Sequence, residues 1–215
     1  MSTTPVSNTT LAKRLLVGAW SLSALVSVVA IIAWGQDYQW KLTPLSAYQL
    51  FPLLGILAFS IMWSHYVAGI VREFLGVKKQ GLKNYFEYTS YAVLALILLH
   101  PGLLILQRFR DGYGLPPGSY ESYVAPGLGW VTILGSISLV VFLAYEFRRV
   151  FGDRSWWHFV KEAGDIAMLA ILYHGLRLGG QLMDGWFRTV WVFYGLILIA
   201  ILGYYYITRY FLKKS

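Results

Sequence analysis

Apolar residues in this chain come in long continuous runs separated by short polar stretches. The runs cover approximately Leu15 to Trp34, Tyr48 to Val71, Tyr85 to Leu106, Leu128 to Phe147, Val160 to Leu178 and Val190 to Tyr210. Each approaches the roughly 20 residues that an α-helix needs to cross a hydrocarbon core about 30 Å thick. A membrane β-barrel would instead alternate apolar and polar positions over segments of about ten residues. The pattern predicts an all-α bundle of six transmembrane helices, with residues 1–215 forming one domain. The first run follows Lys13 and Arg14, as the apolar core of a signal peptide would. It is long for such a core and no small-residue cleavage site closes it, so it reads as the first span.

Composition agrees with lipid as the solvent. Of 215 residues, 57% are hydrophobic and only 13% charged, whereas a soluble domain carries about a quarter charged residues. Nine Trp and sixteen Tyr suit the two interfacial belts, where an apolar ring and a polar tip are both satisfied. The chain has no Cys, which excludes disulfides, thiolate metal sites and iron–sulfur ligation.

The net charge of +8 changes the picture only through its placement. The basic residues fall in short segments between apolar runs, which is the positive-inside signal and not a nucleic-acid stripe. One side of the predicted bundle holds thirteen of them: Lys13, Arg14, Arg72, Lys78, Lys79, Lys83, Arg148, Arg149, Arg154, Lys161, Arg209, Lys213 and Lys214. The other holds five: Lys41, Arg108, Arg110, Arg177 and Arg188. The first side is expected to be cytoplasmic, with both termini inside and the protein in the inner (plasma) membrane. On the outer side, the segment from Gln107 to Pro126 is rich in Gly and Pro, so it reads as an irregular loop that either covers an outward-facing site or simply connects two spans.

Ionisable side chains inside a span are costly and mark candidate sites. His100 lies 15 residues along the third span and His174 lies 14 along the fifth, which is about 22 and 21 Å at about 1.5 Å per residue. Both spans run outward, so the two imidazoles sit at matching depth in the outer half. Two neutral imidazoles facing each other are the usual axial ligands of a b-type heme. Arg177, one turn after His174, and Arg108 with Arg110, just beyond the third span, either meet the heme propionates or snorkel to the headgroups.

The stretches GLKNYFEYTSYAVLALILLHPGLLIL and TILGSISLVVFLAYEFRRVFGDRSWWHFVKEAGDIAMLAILYHGLRLG resemble the ferric reductase-like transmembrane domain over nearly the whole chain. That superfamily includes ferric reductases, NADPH oxidases and the heme subunit of the periplasmic methionine sulfoxide reductase system. The resemblance implies a six-helix bundle with heme between helices three and five, and it matches His100 and His174 to the outer-heme ligands. The family's second pair would fall 13 or 14 residues earlier on each helix, where this chain has Glu87 and Phe86, and Lys161 and Val160. One heme b is therefore expected in place of two.

Glu87 and Lys161 would either form a salt bridge in the vacated inner site or each reach water at the interface. His65, on the inward-running second span, would face Asp165 in a polar inner cluster that carries protons or binds a quinone headgroup, or it would hydrogen-bond a neighbouring helix. His158 falls beside Trp156 and Trp157, as an interfacial anchor would.

The expected function is electron transfer, from a cytoplasmic flavoprotein or a quinol through heme to an acceptor on the outer face. Nothing like a GxGxxG motif opens a βαβ unit, so the donor must be separate. The alternative is a heme-free bundle serving transport, proton conduction or assembly, with Glu87, Lys161 and Asp165 as its site.

Overall fold

The computed structural model describes residues 8–41, 43–147 and 151–212. Arg148, Arg149, Lys213 and Lys214, counted above toward the basic side, lie outside the described residues. The described chain is all helical, with α1 at Asn8–Asp37, α2 at Ala47–Phe74, α3 at Lys83–Arg110 and a single turn, α4, at Gly118–Glu121. After these come α5 at Gly129–Glu146, α6 at Trp157–Leu178 and α7 at Gly185–Ile207. Short 3-10 turns at Lys79–Leu82 and Gly180–Leu182 shape two connections, and a π-helical turn at Thr208–Leu212 ends the fold.

The helices outrun the apolar runs at several ends, because a helix continues into polar surroundings until its backbone groups find other partners. α2 starts in a capping box, in which the Ser46 side chain accepts from the Gln49 backbone while the Gln49 side chain accepts from the Ser46 backbone. α3 runs on to Arg110, so the outer connection expected from Gln107 is irregular only beyond that point, and α4 interrupts it with one helical turn.

Five described helices are long and apolar enough to cross a membrane: α1, α2, α3 with the turn before it, α5, and α7 with its terminal turn. α6 has 22 residues, which is ample length, but it carries Lys161, Glu162, Asp165 and Arg177. Whole faces of the helices carry apolar side chains outward. On α5, Ile133, Ile137 and Val140 are exposed at helical spacing, and on α7 Phe193, Leu196 and Ile199 are. Such stripes suit hydrocarbon as the surrounding medium, since water would leave them a large unpaired apolar surface. The molecule is a helical multi-pass membrane protein.

Packing divides the bundle into hairpins. α1 lies along α2, α2 along α3, and α5 along α6, while α7 touches both α2 and α6. Among the described residues, α3 and α6 are not closely packed on each other. The core between the hairpins is aromatic: Trp191 of α7 stacks on Phe59 of α2 with ring centroids 4.3 Å apart, and Trp63 stacks on Tyr194 at 4.2 Å. Trp63 also donates its indole N–H to the Tyr194 carbonyl at 3.0 Å. Trp191 presses on the backbone of α6 at Gly175, where a Cβ would stand 2.3 Å from its ring. Its close seat depends on the glycine that follows His174.

Polar contacts tie matching ends together. At one end Gln181 donates to Asp37 at 2.9 Å and Trp186 to Gln36 at 3.0 Å. At the other, Arg209 pairs with Glu162 at 3.5 Å and Tyr210 donates to the same carboxyl at 2.6 Å. The second end also carries Lys79, Lys83 and Lys161, and is called the basic end below.

Candidate heme site and inner cavity

His100 and His174 occupy equivalent positions in the two hairpins. His100, on α3, donates its Nδ1–H to the Phe51 carbonyl of α2 at 2.6 Å. His174, on α6, donates its Nδ1–H to the Val131 carbonyl of α5 at 2.8 Å. A carbonyl can only accept, so each ring must carry its proton on Nδ1, which leaves the Nε2 lone pair for another partner.

Four residues beyond each accepting carbonyl stands a glycine. A Cβ built on Gly55 would lie 2.7 Å from Cε1 of His100, and one on Gly135 would lie 2.7 Å from Cε1 of His174. The arrangement has a local cause. In a helix the carbonyl of residue i already accepts from the N–H of residue i+4, and the side chain of i+4 shields its second lone pair. Glycine at i+4 removes that shield, and the imidazole takes the opened acceptor. The sequence reading missed both glycines and both carbonyls. The signal was present in FPLLG and VTILG, residues 51–55 and 131–135, each of which closes on glycine at the same offset.

Both rings are half-buried, and they sit on α3 and α6, two helices that are not closely packed on each other. Among the described residues no group of three or more metal-ligating side chains forms. A pair of neutral imidazoles with Nδ1 anchored and Nε2 available is the donor set of a bis-histidine heme, whose ring brings the other four ligands. The outer-shell carbonyl fixes both tautomer and ring orientation.

The arginines expected near the propionates divide. Arg108 is buried and built into the connection between α3 and α5: its guanidinium donates to the Ser119 carbonyl at 3.3 Å and to the Ser122 hydroxyl, and it lies 3.5 Å from the Tyr113 ring centroid. It anchors the loop over the His100 end of the bundle, and its buried Nε has no protein partner. Arg177 is exposed, as is Arg110. Phe51 and Tyr123 form an aromatic roof there, with Phe51 5.4 Å from the His100 ring and 5.9 Å from Tyr123.

Toward the basic end lies a cavity of about 860 Å³. His65, Glu87, Lys161 and Asp165, predicted as a polar inner cluster, all line it. Of the alternatives expected, Lys161 and Asp165 meet other partners than Glu87 and His65, and His65 hydrogen-bonds a neighbouring helix. Lys161 donates its Nζ to the Tyr205 hydroxyl at 2.7 Å and lies 4.5 Å from that ring's centroid, so it turns to α7 and not to Glu87. Glu87 accepts from Tyr91, one turn along its own helix, at 3.5 Å. Asp165 meets Tyr66, the neighbour of His65, and not His65. It accepts from Tyr66 at 2.9 Å and from Tyr206 at 2.8 Å, so one buried carboxyl joins α2, α6 and α7. Matching depths along two helices were readable, but the angle each side chain takes around its helix decides its partner.

His65 pairs with Thr89 of α3. The Thr89 hydroxyl donates to the Tyr85 carbonyl at 2.6 Å, so its oxygen accepts from His65 Nε2–H. His158 sits in the first turn of α6, exposed, with Nδ1 bonded to the Ser155 carbonyl at 2.6 Å.

No protein-family model matches the chain, and no curated protein or solved structure matches it.

Proposed function

We propose that this protein is a heme b-binding membrane electron-transfer protein of the ferric reductase-like type, with all six long helices as spans and both termini on the cytoplasmic face of the inner membrane. The observation that carries the reading is the repeated anchor: in both hairpins an imidazole donates Nδ1–H to a helix carbonyl opened by glycine at i+4. A structural histidine needs one such accident of packing. Two at equivalent places, on helices that are not closely packed on each other, suit a shared axial ligand set.

In this reading the charges of α6 do not bar it from the membrane. Asp165 is satisfied by two tyrosines, and Lys161 and Glu162 lie at the basic end with Tyr205 and Arg209 as partners. Such pairing is how ionisable groups are tolerated in a span.

Heme, when bound, supplies a one-electron couple. The chain's part is to hold the ring nitrogens toward the iron, to keep water from the slot with Phe51 and the aromatic roof, and to tune the potential through the basicity that the carbonyl bonds lend each imidazole. The acceptor lies at the outer face beneath the loop that Arg108 anchors. A reduced-minus-oxidised spectrum of the purified protein tests this. A Soret band that shifts with dithionite and is lost in His100→Ala and in His174→Ala is expected; a colourless protein from heme-replete cells overturns the reading.

A further inference from the structure

We infer that the cavity at the basic end seats an acyl chain of a zwitterionic bilayer phospholipid, whose phosphate lies at the cations of the cavity mouth. The inference is independent of the electron-transfer reading.

The cavity has a ligand's volume, about 860 Å³ against about 300 to 1,000 Å³ for small-molecule sites. It also has a way in from the side. Leu94 and Ile97 of α3 and Phe142 of α5 all line it, each half-buried, yet among the described residues α3 is not closely packed on α5 or on α6. Two helices that share a cavity without packing on each other leave a slot between them. Hydrocarbon is the medium outside that slot.

The wall suits a hydrocarbon chain. From Phe86 to Ile97 it follows α3 for about 16 Å, at about 1.5 Å per residue, which is one leaflet of a core about 30 Å thick. Gly69 of α2 and Gly164 of α6 also line it, and a Cβ built on either meets nothing within 4 Å. Both helices thus present bare backbone to open space. An empty apolar void forfeits the contacts of its lining, and a chain from the bilayer restores them.

The mouth suits a phosphate. Lys79 and Lys83 are exposed there, at the start of the 3-10 turn and of α3, and Arg72 comes to it from the last turn of α2. Arg72 donates from one guanidinium nitrogen to the Val77 carbonyl at 3.3 Å. α3 begins with neither a side-chain cap nor an acidic residue in its first turn, so its N–H groups add positive potential. Basic pockets between spanning helices are where lipid headgroups bind. Glu73, exposed at the same mouth, brings the opposite charge that the ammonium of a zwitterionic headgroup needs. Glu87 and Glu146 also line the cavity, each with a contact of its own, and Asp165 is held by its two tyrosines.

Palmitoyl-oleoyl phosphatidylethanolamine, titrated into the full-length protein in detergent and followed by native mass spectrometry, tests the site. One saturable adduct per chain is expected. Its Kd should rise about tenfold or more in Gly69→Leu/Gly164→Leu, whose side chains take the place of the acyl chain, and severalfold in Lys79→Gln/Lys83→Gln at the mouth. Both variants should keep the helical circular-dichroism signal, which certifies the fold. Adducts that accumulate without saturating in the wild type overturn the proposal, as does wild-type affinity in both paired variants. Equally tight binding of oleate, which has the chain and lacks the phosphate, overturns it as well. So does a dimer that excludes the lipid and is lost in Gly69→Leu/Gly164→Leu, since the slot would then belong to a second copy.

Discussion

The edge of the His174 imidazole rests on Gly135, with 2.7 Å between Cε1 and the place a Cβ would take. The Val131 carbonyl that holds the ring is one turn away on the same helix. His100 stands in the same relation to Gly55 and Phe51. Four backbone positions on α2 and α5 thus orient two side chains on α3 and α6.

Gly135→Ala and Gly55→Ala follow as the first test. An added methyl at that spacing pushes the ring off its carbonyl and turns Nε2 away from its aim. Loss of an outer-shell partner costs about 10- to 100-fold in metal affinity, so each variant is expected to lose heme on dilution while the helical circular-dichroism signal is retained. Overpacking should lower stability by only about 1–3 kcal/mol. Retention of heme at wild-type affinity in both variants would remove the glycines from the account.

His100 and His174, and the helices that carry them, were legible in the sequence, because an ionisable residue inside a twenty-residue apolar run stands out by itself. Gly55 and Gly135 were not, since a glycine in an apolar helix looks the same whether a side chain or lipid lies over it. The helices α1, α2, α3, α5 and α7 were visible as apolar runs. α6 was legible as a helix, but its buried Asp165 makes sense only with Tyr66 and Tyr206 in place, and both come from other helices.

Asp165 supplies the second prediction. In Asp165→Asn the side chain keeps one oxygen and gains a donor, so one of the two tyrosine hydroxyls must rotate or go unpaired. A buried hydrogen bond lost this way costs about 1–3 kcal/mol. Thermal unfolding in detergent should show a clear drop for Asp165→Asn, with smaller drops for Tyr66→Phe and Tyr206→Phe. An unchanged midpoint in all three would mean that the carboxyl does not join the helices.

Arg108 supplies the third. Its guanidinium holds the connection between α3 and α5 through Ser119, Ser122 and the Tyr113 ring. Arg108→Met keeps the apolar stem and removes these contacts, so proteolysis between Asp111 and Ser122 should accelerate at least severalfold. The heme spectrum should survive, since the ligands lie two turns deeper. If cleavage is no faster than in wild type, the loop is held by other means.

A fourth prediction concerns acid. The Tyr48 hydrogen bond, reinforced by that of Gln107, holds the Asp111 carboxyl below its ordinary value of 3.8. A carboxyl depressed by folding contributes stability that is complete above 3.8 and is lost as pH falls through the lowered value. The protection of amides in the connection between α3 and α5, taken relative to their intrinsic exchange rate at each pH, should therefore fall only in that acid limb, and Tyr48→Phe should flatten the dependence. Protection independent of pH through that window in the wild type would contradict the role given to this hydrogen bond.

The most direct measurement is the ratio of heme to protein in the purified chain, read as the pyridine hemochrome against amino-acid analysis. One imidazole from each hairpin, both serving one iron in the proposed reading, predicts one heme b per chain, falling toward zero in His100→Ala and in His174→Ala alike. A ratio near zero in the wild type, or a full heme complement surviving the loss of either imidazole, would contradict the account.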